Sequence, residues 1–231
     1  ISGGLHGVGL SVVNALSEWL KVEVYQDGKH FCQNYKRGIP QEELKVIGEA
    51  KFTGTWVTFM PDAEIFETTD FNYDTIRARL RELAYLNKGL RIKLVDYRPE
   101  QEQSDEFYYE GGIAHFVEDL SKNKTPLFSK PVYFDVFYGD NEVEIALQYT
   151  DTYNENIISF VNNVKTADGG SHEVGFKTAL TKVFNEYARK YGLLKAKDKN
   201  LEGVDVREGL TGVISIKISE SEVDQRVTTH L

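Results

Sequence analysis

A glycine-rich stretch at the beginning of the sequence has the residue types that bind phosphate groups. It runs from Gly3 to Gly9 as GGLHGVG, and an apolar segment with helical spacing follows it. Glycines allow backbone N–H groups to approach an anion closely, and the first turn of a helix presents unpaired N–H groups and a positive dipole end. The pattern matches neither the P-loop nor the dinucleotide fingerprint. It therefore indicates either a phosphate cradle or a flexible loop that only caps the helix.

A second polar motif, DGGSHE, covers residues 168–173 and precedes a long predicted helix. Ser171 predicts the N-cap of that helix, and Glu173 places a carboxylate in its first turn, where the helix dipole favours negative charge. His172 has the chemistry of a metal ligand or a base, but no second histidine or carboxylate stands at ligand spacing. We interpret the motif as a helix start and assign it no metal ion.

Three other features have weaker functional implications. The Thr53-Gly54-Thr55 segment places hydroxyls at the head of a predicted strand, although threonine also favours strands without any ligand. Residues 207–210, REGL, predict an ion pair that closes a turn. The stretch from 177 to 199 is locally basic, and a solvated helix face explains it more simply than a DNA contact does.

The composition is that of a globular protein with a core. Of the 231 residues, 41% are hydrophobic and 27% are charged. The net charge of -9 excludes a nonspecific DNA-coating protein, because phosphate binding needs concentrated Lys and Arg. The single cysteine, Cys32, excludes an internal disulfide and a multi-thiolate metal site, and we predict a half-buried strand position for it. The sequence has no long apolar run and no signal peptide, which indicates the cytoplasm.

The elements that must position these residues begin with a helix. Residues 8–20 predict this helix, and its apolar face is formed by Val8, Val12, Leu16 and Leu20. Asp27-Gly28 lies between two strand-like segments and predicts a β-hairpin. The segment TWVTFM predicts a strand that ends at Pro61-Asp62. From Asp74 a helical stripe continues to Lys88-Gly89 and precedes the strand LRIKLVD.

The polar segment 97–106 is the best candidate for a domain boundary, and we place the division between residues 98 and 99. After it we predict a short strand, a helix near 112–121, and the strands PVYFDVFY, VEIALQY and NIISFVNN. A long helix over 173–191 follows, with an apolar side formed by Phe176, Leu180, Val183, Phe184 and Tyr187. The last predicted strand is GVISIKI. Two α+β modules, 1–98 and 99–231, are the simplest interpretation.

Seven segments occur together in a fixed order. They are SGGLHGVG with SVVNALS, TGTWVTFMPD, RLRELAYLNKGLRI, EGGIAHFVEDL, DGGSHEVGFKTALTKVFNEYARK and DVREGLTGVIS. Over residues 1–217 this order closely resembles the ATPase subunits of bacterial type IIA DNA topoisomerases. The resemblance implies the later part of a Bergerat (GHKL) ATPase domain for residues 1–98. For residues 99–231 it implies a transducer domain of the ribosomal S5 type.

The resemblance also implies ATP as the bound cofactor, together with Mg²⁺. The backbone amides that would hold the ATP phosphates are those of Leu5, His6, Gly7, Val8 and Gly9. Thr55 matches the family threonine beside the adenine pocket. In this family the water-activating carboxylate, the Mg²⁺-binding asparagine and the adenine-binding aspartate precede the glycine loop, so this chain is assigned no catalytic and no metal-binding residue.

The C-terminal residues depart from the family pattern. The family has a lysine within a Gln-Thr-Lys motif after the last strand, whereas residues 219–231 contain no lysine. Together with the start at Ile1, this predicts an internal fragment that alone binds ATP weakly and does not hydrolyse it. The alternative from another class is a catalytically inactive binding or dimerisation fragment.

The family implies three partners and no membrane. They are DNA, a DNA-cleaving A subunit in an A2B2 heterotetramer, and a second copy recruited by ATP. The gyrase branch, which supercoils closed circular DNA negatively, is resembled by the segments RELAYLNKGL and EGGIAHFVEDLSKNKTP. The topoisomerase IV branch decatenates and relaxes DNA, and it is also similar to this chain in the segments FVNNVKTADGG and KDKNLEGVDVREGL. We prefer the gyrase branch and keep topoisomerase IV as the alternative.

Overall fold

The structure is a computed structural model that describes residues 8–98, 100 and 102–218. Within it the chain forms two compact units, Ser2–Asn72 and Tyr73–Leu231, which we call the N-terminal unit and the C-terminal unit. Both units mix helices with sheets, which confirms the predicted α+β class. Leu5, His6 and Gly7 of the predicted phosphate loop lie outside the described residues, as does the divergent segment 219–231.

The N-terminal unit is a helix followed by an antiparallel sheet. Its elements are α1 (Val8–Ala15), β1 (Ser17–Gln26), β2 (Lys29–Lys36), β3 (Ile39–Pro40), β4 (Lys45–Glu49) and β5 (Gly54–Pro61). The strand order is β3-β2-β1-β5, and β4 pairs with β2 beside β3. Asp27 and Gly28 form the two-residue turn between β1 and β2 with positive φ angles of 51° and 76°, as the sequence predicts.

The first helix is shorter than its apolar spacing predicts. It ends at Ala15, and the hydroxyl of Ser17 donates to the carbonyl of Val13 at 2.6 Å. Leu20, the last residue of the predicted helical face, lies in β1 opposite Tyr35 and Phe59 and is buried there. The prediction of a helix through residue 20 is therefore wrong, because strand pairing on both sides of β1 outweighs the local period.

The C-terminal unit begins with a helix and a hairpin and continues into a five-stranded sheet. Its elements are α2 (Tyr73–Leu86), β6 (Ile92–Asp96), β7 (Gln103–Phe107), α3 (Ile113–Ser121), β8 (Val132–Tyr138), β9 (Asn141–Tyr149), β10 (Asn156–Val161), β11 (Val164–Lys165), α4 (Ser171–Lys190), α5 (Gly203–Val206) and β12 (Leu210–Lys217). The strand order is β11-β10-β12-β9-β8. β10 and β12 run parallel, and the chain between them forms β11, α4 and α5.

The core of the C-terminal unit lies between its first helices and one face of the sheet. Tyr85 and Leu86 from α2 meet α3 and the strands β9, β10 and β12. The cluster is completed by Ile113, Phe116, Val117, Ala146, Phe160 and Val213. Because α2 contributes to this core, the division into compact units falls before Tyr73. The domain boundary that we place at residue 98 stays a prediction.

Three sequence expectations change in this unit. Residues 103–106 of the proposed boundary segment belong to β7, which pairs with β6 in a hairpin. Helix α4 begins at Ser171 with Gly170 at the N-cap, so the expected Ser171 cap is wrong by one position. The predicted apolar side of α4 is not a core face, because Val183 and Tyr187 are exposed while Asn185 and Ala188 are buried.

The other elements of the C-terminal unit agree with the sequence. Helices α2 and α3 and strands β6, β8, β9 and β12 lie where they are predicted, within a few residues at each end. Gly89 follows α2 with a φ of 78°, as expected for a glycine beyond a helix end. Among the described residues, no helix is long and apolar enough to cross a membrane.

Candidate functional site

The glycine stretch leads directly into a helix whose first turn is open. Helix α1 begins at Val8, and Val8 and Gly9 are both exposed. A Cβ atom added to Gly9 would meet no other atom of the described residues within 4 Å. No other residue of 8–98, 100 and 102–218 fills the space beside Gly9, and N–H groups in the first turn of a helix have no intrahelical acceptor. An anion is the ligand that this arrangement favours.

Thr55 lies on the same sheet face as α1. It stands opposite Val24 of β1, and Phe59, four residues further along β5, stands opposite Leu20. Residues that alternate along a strand share a face, so Thr55 and Phe59 point to the same side. Phe59 lines a cavity of about 400 Å³ together with Val12 of α1. Helix α1 thus covers this face at the Phe59 end and leaves the Thr55 end, about 13 Å away along the strand, uncovered.

The uncovered part of the face is apolar. Val22, Val24 and Val57 are half-buried there, and Thr55 is exposed beside them. A flat aromatic group can pack on such valines while the threonine hydroxyl supplies a hydrogen bond. The structure thus places three predicted site residues, Val8, Gly9 and Thr55, in one unit, with the helix and the threonine on one face of its sheet.

The second polar motif is structural. His172 Nε2 lies 3.1 Å from Thr166 Oγ1, and Glu173 accepts from Ser159 Oγ at 3.2 Å and pairs with Lys177 at 2.8 Å. These contacts connect the start of α4 with β10 and the loop after β11. The interpretation of DGGSHE as a helix start agrees with this arrangement.

Two cations of the basic stretch, Lys177 and Arg189, are held by neighbouring side chains and carbonyls. Lys177 also pairs with Glu155 at 2.6 Å, and the same carboxylate accepts from Arg207 at 2.7 Å. Arg189 donates to the carbonyls of Lys195 and Asp198 at 3.1 and 2.9 Å. A groove of about 770 Å³ runs between α4 and α5. The ion pair predicted within residues 207–210 instead joins Arg207 to Glu155.

A buried carboxylate forms a polar network that the sequence analysis missed. Glu144 of β9 is only 4% exposed and pairs with Lys88 at 2.9 Å and Lys217 at 3.6 Å. Tyr133 donates to it at 2.6 Å. A charged residue inside the apolar segment VEIALQY is the signal that could have indicated a buried ion pair.

The network keeps Glu144 ionised. Burial alone would raise the pKa of Glu144, but the hydrogen bonds from Lys88 and Tyr133 outweigh it and lower the pKa. Burial raises the pKa of Tyr133 to about 12, with a further contribution from its bond to Glu144. The lowered carboxylate pKa makes the network stabilising above the ordinary Glu pKa of about 4.3, and that stability is lost as the pH falls through the folded-state value.

One group of side chains in the described residues has the geometry of a metal site. Asp135, Glu142 and Glu144 hold carboxylate oxygens within 4.8 Å of one another. Lys217 lies 3.0 Å from Glu142 and, with Lys88, offsets part of the negative charge of the group, which we therefore interpret as an ion-pair network. It belongs to the C-terminal unit, whereas α1 belongs to the N-terminal unit.

Comparisons with known proteins test the family resemblance. The family model described as DNA gyrase B matches residues 112–224. The DNA gyrase B-subunit of Halalkalibacterium halodurans is 55% identical over 232 residues, which cover 100% of this chain. The 43K ATPase domain of Thermus thermophilus gyrase B superimposes with a TM-score of 0.83 at 43% identity. These matches confirm the resemblance of the chain to the ATPase subunits of bacterial type IIA DNA topoisomerases.

The similarity extends to topoisomerase IV. The DNA topoisomerase 4 B-subunit of Staphylococcus epidermidis is 55% identical over 221 residues, or 95% of this chain. The chain spans 36% of the Halalkalibacterium protein and 33% of the Staphylococcus protein. It covers 59% of the Thermus ATPase chain, and 93% of its own residues are aligned there. The GHKL-type α+β fold predicted from the sequence is thereby confirmed.

Proposed function

We propose that this chain is the nucleotide-responsive part of a type IIA topoisomerase subunit of the gyrase branch. The intact subunit would use ATP to introduce negative supercoils into closed circular DNA. The observation that carries the proposal is the 55% identity to a gyrase B-subunit over the whole chain. The glycine stretch that opens onto α1 supplies the matching chemistry.

In this proposal the ATP phosphates lie against the glycine loop and the first turn of α1. The backbone amides of Leu5, His6, Gly7, Val8 and Gly9 donate to the phosphates. The open space beside Gly9 supports this role, because a side chain there would occupy the volume that the phosphates need. The adenine packs on the apolar face near Thr55, whose hydroxyl takes part in recognising the base.

Mg²⁺ and the catalytic groups would come from elsewhere in the intact protein. When bound, the metal ion would neutralise phosphate charge during hydrolysis. The residues of this chain bind and orient the nucleotide, and the isolated chain is expected to bind ATP weakly and not to hydrolyse it. An enzyme in its own right is therefore not proposed for these 231 residues alone.

The proposal includes the partners and the domain roles that the family implies. Residues 1–98 complete the GHKL ATPase domain, and residues 99–231 form the transducer. ATP brings two such regions together as a homodimer, and the DNA-cleaving A subunit completes an A2B2 heterotetramer that acts on DNA in the cytoplasm. Energy for the cycle comes from the difference between the contacts made with ATP and with ADP.

The nucleotide site is tested by Gly9→Ala in a chimera, in which residues 1–231 replace the matching segment of the Halalkalibacterium protein. Alanine suits a helix better than glycine and meets no atom within 4 Å, so the fold should be unharmed. Lost phosphate contacts should nevertheless weaken ATP binding roughly 10–100-fold. Isothermal titration with a non-hydrolysable ATP analogue measures the effect.

Thr55→Val tests the proposed contact between the Thr55 hydroxyl and the adenine base. Valine has nearly the same shape and suits a strand, and we expect binding to weaken about 3–10-fold through the lost hydroxyl. Thr178→Val, on α4 of the C-terminal unit, is the matched control and should leave binding unchanged. Unchanged affinity in both Gly9→Ala and Thr55→Val would contradict the proposed site.

Topoisomerase IV is the second candidate function. The chain is 55% identical to the Staphylococcus topoisomerase 4 protein, which is the same identity as to the Halalkalibacterium gyrase protein. The gyrase branch is preferred because the gyrase B match covers 100% of the chain rather than 95%. A binding or dimerisation fragment without catalysis is the remaining alternative, and it predicts that the chimera binds ATP without any turnover.

A further inference from the structure

The turn between β10 and β11 contains two consecutive asparagines in the left-handed conformation. Their φ angles are 48° for Asn162 and 65° for Asn163. This conformation is unfavourable for residues with a side chain, although asparagine tolerates it better than most. A two-residue turn of this geometry joins antiparallel strands well, but glycine would form it at lower cost. The asparagine side chains are therefore expected to make contacts that glycine could not make.

Asn162 holds the end of β12. It is only 2% exposed, and its Oδ1 accepts from the N–H of Ile218 at 2.9 Å. Its Nδ2 donates to the carbonyl of the same residue at 3.1 Å. Its backbone N–H also donates to the carbonyl of Ile216 at 2.7 Å. One side chain thus satisfies both backbone groups of the residue that follows the strand.

Asn163 faces helix α2. Its carbonyl accepts from Arg79 Nη2 at 2.6 Å, and its Nδ2 donates to the side-chain oxygen of Asn87 at 3.3 Å. Arg79 lies within α2, and Asn87 directly follows it. The turn therefore contacts α2 through one asparagine and the end of β12 through the other.

The buried carboxylate joins the same two elements a second time. Lys88 follows α2, Lys217 is the last residue of β12, and both pair with Glu144 between them. This bridge shares no residue with the asparagine turn. Two independent polar bridges therefore join α2 and the two residues after it to the C-terminal end of β12. One bridge ends at Lys217 and the other at Ile218.

We propose that the two bridges form an anchor that fixes the C-terminal end of β12 to helix α2, so that both move together. Backbone pairing with β9 and β10 holds β12 up to Ile216 and Lys217, and apolar contacts in the core hold its middle around Val213. These interactions fix the position of β12 in the sheet, but they do not fix the direction in which the chain leaves the sheet. Hydrogen bonds and ion pairs are directional, so they can set that direction. The inference is independent of the proposed nucleotide site, because all residues of the anchor lie in the C-terminal unit.

The anchor is tested by amide hydrogen exchange at Ile218 in the 231-residue chain. Arg79→Ala and Lys88→Met both change residues on the α2 side, whose side chains bond to Asn163 and to Glu144 rather than to Ile218. Each variant should nevertheless speed exchange of the Ile218 amide by about tenfold, because loss of one bridge lets the strand end open locally. Asn162→Ala should do so at least as strongly, because it removes both side-chain hydrogen bonds to Ile218.

A global loss of stability is separated from the anchor by an internal reference. The amide of Val213 lies in the same strand within the core, so the ratio of Ile218 to Val213 exchange rates reports only the strand end. Lys182→Met, on the exposed surface of α4, is the control and should change neither rate. In a Glu144→Gln background, Lys88→Met should have no further effect on the ratio. The proposal is overturned if Arg79→Ala and Lys88→Met speed exchange only within α2 and leave the ratio unchanged.

Discussion

Replacing Tyr85 by alanine is expected to lower the free energy of unfolding of the C-terminal unit by about 3–5 kcal/mol. Tyr85 is 1% exposed and stacks between Tyr109 and Phe116, with ring centroids 3.8 and 4.6 Å away. Its hydroxyl donates to Asp119, which also pairs with Arg81. Alanine removes the ring on which two aromatic neighbours pack and leaves a cavity at the contact between α2 and α3.

Two further variants divide this effect into its parts. Tyr85→Phe keeps the stacked ring and removes only the hydroxyl, so it should cost about 1 kcal/mol. Tyr153→Ala removes a tyrosine that is 83% exposed and should change stability by less than about 0.5 kcal/mol. Urea unfolding followed by far-UV circular dichroism measures all three. Similar losses for Tyr85→Ala and Tyr153→Ala would contradict the described core.

Gly209→Ala is expected to destabilise the same unit by about 2–5 kcal/mol. Gly209 has a φ of 72°, which costs a residue with a Cβ about 1–2 kcal/mol. The added Cβ would also lie 2.4 Å from the carbonyl oxygen of Thr150 and 2.6 Å from that of Thr152. Both contacts are with backbone atoms that cannot rotate away, so relieving them should cost about 1–3 kcal/mol more. The start of β12 must shift as a result.

Gly192→Ala is the matched control for the cost of placing a residue with a Cβ at a positive φ angle. Gly192 has a φ of 71°, but an added Cβ there meets nothing within 4 Å. Its cost should therefore be only the conformational part, about 1–2 kcal/mol. Thermal unfolding of the two variants side by side measures the difference. Equal destabilisation by both would show that the close approach of Thr150 and Thr152 to Gly209 contributes nothing.

The elements predicted most reliably from the sequence are those with local causes. Asp27-Gly28 forms a hairpin turn because both residues tolerate positive φ, and no distant contact is needed to explain it. Gly89 ends α2 for a similar local reason. The same argument applied to Asn162-Asn163 would have predicted a turn there. The predicted strand NIISFVNN instead continues through these residues, because their apolar neighbours dominate the pattern.

The errors come from contacts between residues that are distant in the sequence. Leu20 fits a helical period, but pairing of β1 with β2 and β5 places it in a strand. The apolar residues of α4 suggested a core face, yet Val183 and Tyr187 remain exposed in the described part of the chain. Sequence spacing reports which residues share a helix face and does not report what lies opposite them.

The candidate site also combines features with local causes and features that depend on contacts distant in the sequence. The helix after the glycine stretch could be predicted, because its apolar spacing and small residues are local signals. That Thr55 shares a sheet face with this helix depends on the register of β5 against β1, which spacing does not determine. The pairing of Lys88 and Lys217 with Glu144 joins residues more than 50 positions apart, so it required the structure.

The central claim is that these 231 residues act in a gyrase, and an exchange between two chimeras tests it most directly. In one chimera they replace the matching segment of the Halalkalibacterium gyrase B-subunit, and in the other that of the Staphylococcus topoisomerase 4 B-subunit. Each chimera is combined with the A subunit of its host and given relaxed closed circular DNA and ATP. We predict ATP-dependent negative supercoiling by the gyrase chimera. Activity of the topoisomerase IV chimera in decatenation, with no supercoiling by the gyrase chimera, would contradict the claim.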